Sequence, residues 1–406
     1  MARKMKDSGI EWIGEIPEGW EVVPVKRLCT MQAGKNLTSE QIAPEGTYPV
    51  YGGNGIRGFF SDYNCDGQFL TVGRQGALCG NVHKISGKVW ATEHAVITTP
   101  SSYTILDFLY FLLIGMDLNQ YVSSTAAQPG LAVGTLLNLK TCYPCSTLEQ
   151  TQISNYLNAK CSEIDVMLSK TRSSIEEYKK LKQAVITQAV TKGVRGEREM
   201  KDSGVEWIGE IPKEWDILNL VAHTSMLTPM RDRPENLDGP IPWIRIEDFD
   251  GKYISSSKAS LGVFKETVRS MNLKIYPVGT ILCTSSCIMG KCAIVSRELV
   301  SNQRFIGIIP DQNTCENFLY YLMLSNSERM NYLATGALQA NLSRSSFEHL
   351  KVQFPSYQEQ KEISDYLDTK CAEIDKLIAK KEQLVKELES YKKSLIYEVV
   401  TGKREV

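Results

Sequence analysis

The chain has 406 residues, too many for one compact core, and with 42% hydrophobic and 23% charged residues it sits near the soluble globular average. This predicts two to three domains and excludes disordered, fibrous and low-complexity classes. Lys and Arg number 46 against 47 Asp and Glu, a net charge of -1 that gives no whole-chain field for a polyanion, so any nucleic-acid contact is expected from a local patch. The longest apolar run, Phe108 to Met116, is bounded by Asp107 and Asp117 and falls short of the roughly 18–20 residues needed to cross a bilayer. No apolar stretch follows the basic N-terminal residues, and the 11 cysteines are scattered and odd in number. Together these features predict a cytoplasmic protein, no membrane partner, and mostly free thiols.

In chain order, the first element is a motif, Met5-KDSGIEWIGEIPEG-Trp20, that returns 195 residues later as Met200-KDSGVEWIGEIPKE-Trp215. A variable block over 21–147 follows, with strand-like stretches Tyr48-PVYGG-Asn54 and Gln68-FLTVGRQG-Ala77 and a short helix Ile105–Met116. Next, Ile153-SNYLNAKCSEID-Asp165 opens a long helix and returns 210 residues later as Ile363-SDYLDTKCAEID-Asp375. In that first helix Ile164, Leu168, Thr171, Ile175, Tyr178, Lys182, Val185 and Ala189 alternate spacings of four and three, the seam of a coiled coil. The second variable block, 216–355, holds Pro242-WIRIEDFDG-Lys252, Pro277-VGTILCTSSCIMGKCAIV-Ser296 and a helix at Glu316–Leu324. In the second long helix the seam is expected at Ile374, Leu377, Lys381, Leu384, Leu388, Tyr391 and Leu395.

These elements predict an α+β chain with a pseudo-twofold internal repeat, in which two mixed α/β domains are separated by two long antiparallel coiled-coil helices. The expected limits are 1–147 and 196–355 for the domains and 148–195 and 356–406 for the helices, with the repeated motif at 5–20 and 200–215. Each helix, at ~1.5 Å per residue, would be on the order of 60 Å long and act as a spacer. An apolar seam must be buried, either on its counterpart or on its own variable block. Antiparallel pairing would place the blocks at opposite ends and bring Thr401-GKREV to the first copy of the motif.

Several catalytic signals fail their context. Gly53-NGIR-Gly58 matches a dinucleotide fingerprint, but Phe59-FSDYNCDG follows instead of an amphipathic helix. Glu235 with Asp250 loosely resembles a nuclease carboxylate set, yet Asp250-Gly251 reads as a hairpin turn. Cys142-YP-Cys145 and the Cys283, Cys287, Cys292 group lack a second ligand pair at zinc spacing and read as buried thiols. His83, His94, His223 and His349 are isolated from one another, and neither a phosphate loop nor an adenine-methyltransferase tetrapeptide occurs. No catalytic, metal or cofactor site is expected on this chain.

The SGIEWIGEIPEGWEV opening, the LEQTQISNYLNAKCSEID helix start, the AVITQAVTKG helix end and their repetition resemble Type I restriction-modification specificity (S) subunits, the HsdS family. The resemblance covers the whole chain. It implies a non-catalytic reader of double-stranded DNA with a bipartite site, each block a target recognition domain for one half, the helices setting the gap. It also implies two methyltransferase (M) subunits using S-adenosylmethionine and restriction (R) subunits using ATP and Mg. The alternative from the residues alone is a duplicated coiled-coil scaffold that binds proteins and reads no DNA, a reading that the near-neutral charge favours.

Base edges are read by Arg, Lys, Asn, Gln, Ser and Thr on rigid loops. In the first block the candidates are Asn54 and Arg57, Arg74 and Gln75, and Thr92 and His94, because flanking glycines allow close backbone approach. In the second, the resemblance points to Arg245, Ser285, Ser286, Lys291, Asn302, Gln303, Arg304, Gln339, Asn341 and Arg344, with Gln128 the first-block equivalent of Gln339. Arg231 and Arg233 read as phosphate clamps. Along the first helix Lys170, Arg172, Lys179, Lys180, Lys182, Lys192, Arg195 and Arg198 outnumber the acids, either as a phosphate-facing stripe or as a solvated or partner-facing surface.

Overall fold

The computed structural model describes residues 3–75, 79–122, 130–229, 233–286, 290–334 and 342–406. It forms two compact units, Met1–Ser173 with Glu382–Val406, and Ser174–Lys381. Both boundaries fall inside a long helix, so each unit contains one variable block and parts of both helices.

The first unit runs β1 (Met5–Asp7), β2 (Glu15–Pro17), β3 (Trp20–Pro24), β4 (Cys29–Ala33), β5 (Tyr48–Gly52), β6 (Gly55–Phe60), β7 (Gln68–Gly73), β8 (Val82–Ser86), β9 (Trp90–Ala91), β10 (Ala95–Pro100), α1 (Leu106–Gly115), α2 (Val133–Asn138), β11 (Lys140–Pro144), then α3 (Thr147–Lys192), which continues into the second unit. Its main sheet has the order β4-β10-β7-β8, and a smaller one the order β6-β5-β9. β1 pairs with β2, and β3 with β11. Helix α1, apolar but for Asp107 in its first turn, sits in the core with Phe108, Leu109 and Leu112 fully buried.

The second unit repeats this plan with β12 (Met200–Asp202), β13 (Glu210–Pro212), β14 (Asp216–Asn219), β15 (Thr224–Leu227), β16 (Ile241–Ile244), β17 (Tyr253–Ile254), β18 (Gly262–Val263), α4 (Lys265–Ser270), β19 (Ile281–Thr284), β20 (Cys292–Val295), β21 (Val300–Ser301), β22 (Phe305–Pro310), α5 (Glu316–Ser325), α6 (Ser327–Leu333), α7 (Arg344–Glu348), β23 (Lys351–Phe354) and α8 (Tyr357–Val400), the last continuing into the first unit. Here the sheet order is β15-β22-β19-β20-β17, and β16 pairs in parallel with β21 as β5 does with β9. Different residues thus build one four-strand order twice, to which the second unit adds β17 as an edge strand parallel to β20.

Within each unit the two helices run antiparallel. In the first, Lys392 Nζ reaches Asp165 at 2.7 Å and Arg172 pairs with Glu389 at 2.5 Å. In the second, Lys182 reaches Asp375 at 2.6 Å and Arg195 pairs with Glu362 at 2.8 Å. Each unit's core takes both helices against its own block: Ile153, Leu157, Ile164 and Leu168 join Leu395, Ile396, Val399 and Val400 in the first. Ile186, Ala189 and Val190 join Ile363 and Leu367 in the second. The two burial routes considered from sequence therefore operate together.

The seam expected in α3 is found, but the one expected in α8 is out of phase. Leu377, Leu384 and Tyr391 are 41%, 42% and 50% exposed, while Ile374 and Leu395 are buried and Ile378, Lys381, Val385, Leu388 and Lys392 are half-buried. With Val399 these residues form a stripe of alternating fours and threes that superposes on the α3 stripe through the 210-residue repeat. The error came from preferring leucine to isoleucine and lysine; Lys182 and Lys392 occupy equivalent seam positions, lay their stems along the seam and put their ammonium groups on Asp375 and Asp165.

The repeat also duplicates the contacts that seat each helix. Gln150 accepts the Ile105 N–H at 2.8 Å and donates to Tyr103 and Pro144 carbonyls; Gln360 accepts the Cys315 N–H at 2.8 Å and donates to Asn313 and Pro355 carbonyls. Both are fully or nearly fully buried. Replacing Gln360 with leucine leaves one N–H and two carbonyls unpaired and is expected to destabilise the second unit by about 2–4 kcal/mol in denaturant unfolding. As expected, the C-terminal segment lies on the first copy of the motif: the Tyr397 hydroxyl donates to the Trp12 carbonyl at 2.8 Å. Gly402, at φ +73°, closes α8 where a Cβ would sit 2.5 Å from Pro17.

Two further expectations, a hairpin at Asp250-Gly251 and a buried Cys145, are corrected. Asp250-Gly251 is no hairpin, because β16 before it and β17 after it belong to different sheets. Cys145 is exposed, although its neighbour Cys142 is buried and its thiol pushed up to about 12 by burial. The dinucleotide-like glycines form the two-residue turn Gly53-Asn54 between β5 and β6.

Candidate nucleic-acid interface

In the first unit three loops meet where β7 ends and β10 begins. The Arg74 N–H donates to the His94 carbonyl at 2.9 Å, and the Leu131 N–H donates to the Arg74 carbonyl at 2.9 Å. A Cβ on Gly53 would lie 3.0 Å from the Gln75 carbonyl and 3.4 Å from that of His94, so the Gly53-Asn54 turn rests on both. Asn54 accepts a hydrogen bond from Asn81 at 2.6 Å, and Arg57 folds over Gly52. The Thr92 N–H donates to Tyr51 at 2.9 Å. All six first-block candidates are thereby collected at one end of the sheet.

Their exposure separates them. Asn54 and Arg57 are exposed, and Arg74, Gln75 and His94 half-buried. His94 Nε2 lies 3.1 Å from Glu93, while its Nδ1 has no partner. Thr92 is fully buried. It is corrected from a base contact to part of the loop's frame, since a base edge cannot reach it.

The second unit reproduces the arrangement with other side chains. The Ser285 N–H donates to the Arg304 carbonyl at 2.8 Å and the Leu342 N–H to the Ser285 carbonyl at 2.9 Å, so Ser285 stands where Arg74 does and Arg304 where His94 does. Asn302 caps its turn by accepting the Arg304 N–H at 2.9 Å. Lys291 holds the base of the hairpin through two bonds to Thr284. Arg245 follows Ile244, the partner of Ser301, and ion-pairs with Glu247 at 3.1 Å. Arg344 pairs with Glu348 at 2.7 Å.

Lys291, Gln303, Arg304 and Arg344 are exposed, whereas Ser285 and Ser286 are 9% and 6% exposed and, like Thr92, are corrected to frame residues. Arg233 is exposed, and no hydrogen bond or ion pair among the described residues ties it to this cluster. Arg231, Gln339 and Asn341, with Gln128 and Cys287, lie outside the described residues.

Much of the basic stripe on α3 is spoken for. Arg172, Lys179, Lys182, Arg195 and Arg198 ion-pair with Glu389, Glu176, Asp375, Glu362 and Glu359. A cavity of about 1100 Å³ in the first unit, between β8, α1 and the helix pair, is likewise self-neutralised: Lys84 with Asp107, Lys392 with Asp165, Lys393 with Asp117. Burial would raise the Asp107 carboxyl, but hydrogen bonds from Lys84 and Asn158 and the Lys84 charge together hold it below its ordinary range. Among the described residues no His, Cys, Asp and Glu group could hold a metal, and no helix is long and apolar enough to cross a membrane.

One duplicated constellation escaped the sequence reading. Arg3 pairs with Glu149 beneath Trp20, and Arg198 pairs with Glu359 at 2.6 Å beneath Trp215; each indole N–H donates to its glutamate, at 3.0 and 3.1 Å. Its signal was available, since arginine and tryptophan recur at one offset and glutamate at the other.

A family profile described as "Type I restriction modification DNA specificity domain" matches residues 17–177 and 216–387. The chain is 44% identical over 121 residues to the type I restriction enzyme EcoprrI specificity subunit of Escherichia coli, covering 29% of this chain and 30% of that one. It is 34% identical over 181 residues to the MjaIX specificity subunit of Methanocaldococcus jannaschii, covering 43% and 41%. The matched regions thus span less than half of either relative. A chain solved in work on complex assembly and conformational transition of the type I R-M system aligns with a TM-score of 0.72 at 12% identity, over 96% of this chain and 99% of that one, which shows a shared fold.

Proposed function

Because the chain belongs to the Type I restriction-modification DNA specificity family, we propose that it is the non-catalytic DNA-reading subunit of such a system, each unit reading one half of a bipartite target in the cytoplasm. The observation that carries this reading is the matched pair of loop clusters: one backbone scaffold presents Arg74 and His94 in the first unit, and in the second presents Arg304 at the position of His94 with the buried Ser285 at that of Arg74. Like geometry with unlike side chains is what two readers of different half-sites require. The exposed Asn54, Arg57, Lys291, Gln303 and Arg304 have the donor and acceptor types that pair with base edges. Arg245 and Arg344 would exchange their carboxylate partners for DNA. Two M subunits with S-adenosylmethionine, and R subunits with ATP and Mg, would supply the chemistry and many phosphate contacts, which suits a chain of net charge -1.

The test is to express this chain with a methyltransferase subunit from the same locus and map N6-methyladenine by single-molecule sequencing. One bipartite motif with a fixed gap, lost when this chain is deleted, supports the reading. Methylation without such a motif transfers weight to the protein-scaffold alternative. Exchanging residues 21–147 for the block of another family member is expected to change one half of the motif and leave the other intact; a change in both halves would show that the units do not read independently.

A further inference from the structure

The second unit carries an arginine clamped between two exposed rings. The Arg329 guanidinium lies 4.0 Å from the Trp207 ring centroid and 4.9 Å from that of Tyr332. Trp207 is 42% and Tyr332 79% exposed, unusual values for side chains of this size. Arg329 Nε is buried without an acceptor, and no carboxylate pairs with this arginine among the described residues. Two rings beside the guanidinium restrict it, and its terminal N–H groups have no carboxylate to meet among the described residues, a state that suits an oxyanion.

The location supplies the second half of the argument. Helix α6 carries Arg329 and Tyr332, and its start adjoins a recognition loop: a Cβ on Gly290 would fall 2.3 Å from Ser327. This arginine, held against two rings and with no carboxylate partner among the described residues, stands beside the base-reading cluster.

We infer that Arg329, braced by Trp207 and Tyr332, grips a backbone phosphate of DNA flanking the half-site read by the second unit. The inference rests on the DNA-reading function proposed above. It applies to one unit alone: Asn119 meets Gly80 as Ser327 meets Gly290, and two residues further on the first unit has Tyr121 in place of Arg329. Trp12, the counterpart of Trp207, instead faces Tyr397 at 6.3 Å. The repeat places Thr187 at the position equivalent to Tyr397, too small to cover Trp207.

The experiment uses the assembled complex with methyltransferase subunits, a duplex carrying the mapped target and a random-sequence duplex, titrated over a range of salt. Arg329→Gln is expected to weaken both duplexes by a similar factor, up to about tenfold, and to make the slope of log K against log salt shallower by about 1. The methylated motif should not change. Arg329→Lys should keep the slope, and Trp207→Leu, which keeps the charge but loosens it, should weaken binding without altering the slope. A methylphosphonate at one position flanking the second unit's half-site should weaken the wild type and leave Arg329→Gln unaffected. Unchanged affinity and slope in Arg329→Gln, with the wild type still discriminating target from random DNA, overturns this inference alone. Loss of methyltransferase association by Arg329→Gln, with an unchanged thermal transition, overturns it in favour of a protein contact. Failure of the wild-type complex to prefer the target overturns the DNA-reading function together with it.

Discussion

Replacing Glu359 with alanine is expected to cost the second unit about 2–4 kcal/mol, because it removes a buried carboxylate that serves both an indole donor and a partly shielded guanidinium. Its side chain is 2% exposed, it sits 2.6 Å from Arg198, which is itself 14% exposed, and it accepts the Trp215 indole N–H at 3.1 Å. Arg195 adds a weaker approach at 3.8 Å. Deleting the carboxylate leaves the indole donor without an acceptor and takes one of two carboxylates from a shielded guanidinium, which keeps Glu214 at 2.9 Å and the Lys192 carbonyl at 3.0 Å. The equivalent change at Glu149 should cost only about 1–2 kcal/mol, because Glu149 and Arg3 are 28% and 31% exposed and water screens the pair left behind. Denaturant unfolding of each variant checks both values; equal losses would mean that the indole bond, common to the two sites, dominates over burial. Gly193 guards the same site: it closes α3 at φ +74°, and a Cβ there would fall 2.0 Å from the Arg198 guanidinium.

How much of this was legible in the sequence depended on whether the signal was periodic. The repeat marked the opening motif and the starts of the long helices, which begin within one residue of the expected 148 and 356 but end at Lys192 and Val400, three and six residues before the expected limits, because identity at a fixed offset needs no knowledge of contacts. Helix seams are also periodic, yet the α8 seam slipped by one position. Leu377-Ile378 and Leu384-Val385 are neighbouring apolar pairs that hydrophobicity does not separate, and Tyr391 reads as more apolar than Lys392, so only superposition on the α3 stripe reveals which set faces inward. The loop candidates were found as a group, since Gly, Asn, Gln and Arg cluster where strands end. Their sorting was not legible: Thr92, Ser285 and Ser286 look like readers by type, and only their burial in the folded loops, just past the ends of strands, shows otherwise. Arg329 was missed because its partners, Trp207 and Tyr332, come from distant segments, and stacking leaves no spacing rule.

Removing four residues from the middle of α3 and four from the middle of α8 is expected to shorten the unread gap of the target and leave both half-sites unchanged. Four residues correspond to about 6 Å of helix, close to two base-pair steps of ~3.4 Å. The half-sites should survive because the loop clusters are built from β-strands and α6, none of which includes the deleted turns. Matched deletion matters because the seams of both helices share one register, fixed by Lys392 on Asp165 in the first unit and by Lys182 on Asp375 in the second. A cut in one helix alone would set its stripe out of register with its partner and is expected to reduce stability before it reports on spacing. Four residues also advance an α-helix by about 400°, some 40° past a full turn, so a seven-residue deletion, which returns within about 20° of the original phase, is the control for rotation. Methylation mapping of the two deletions reads the gap directly. A gap that stays fixed while both variants methylate normally would remove the helices from the role of spacer and place that role in the partner subunits, whereas a gap that contracts in both, further for seven residues than for four, would assign spacing to the helical turns of this chain.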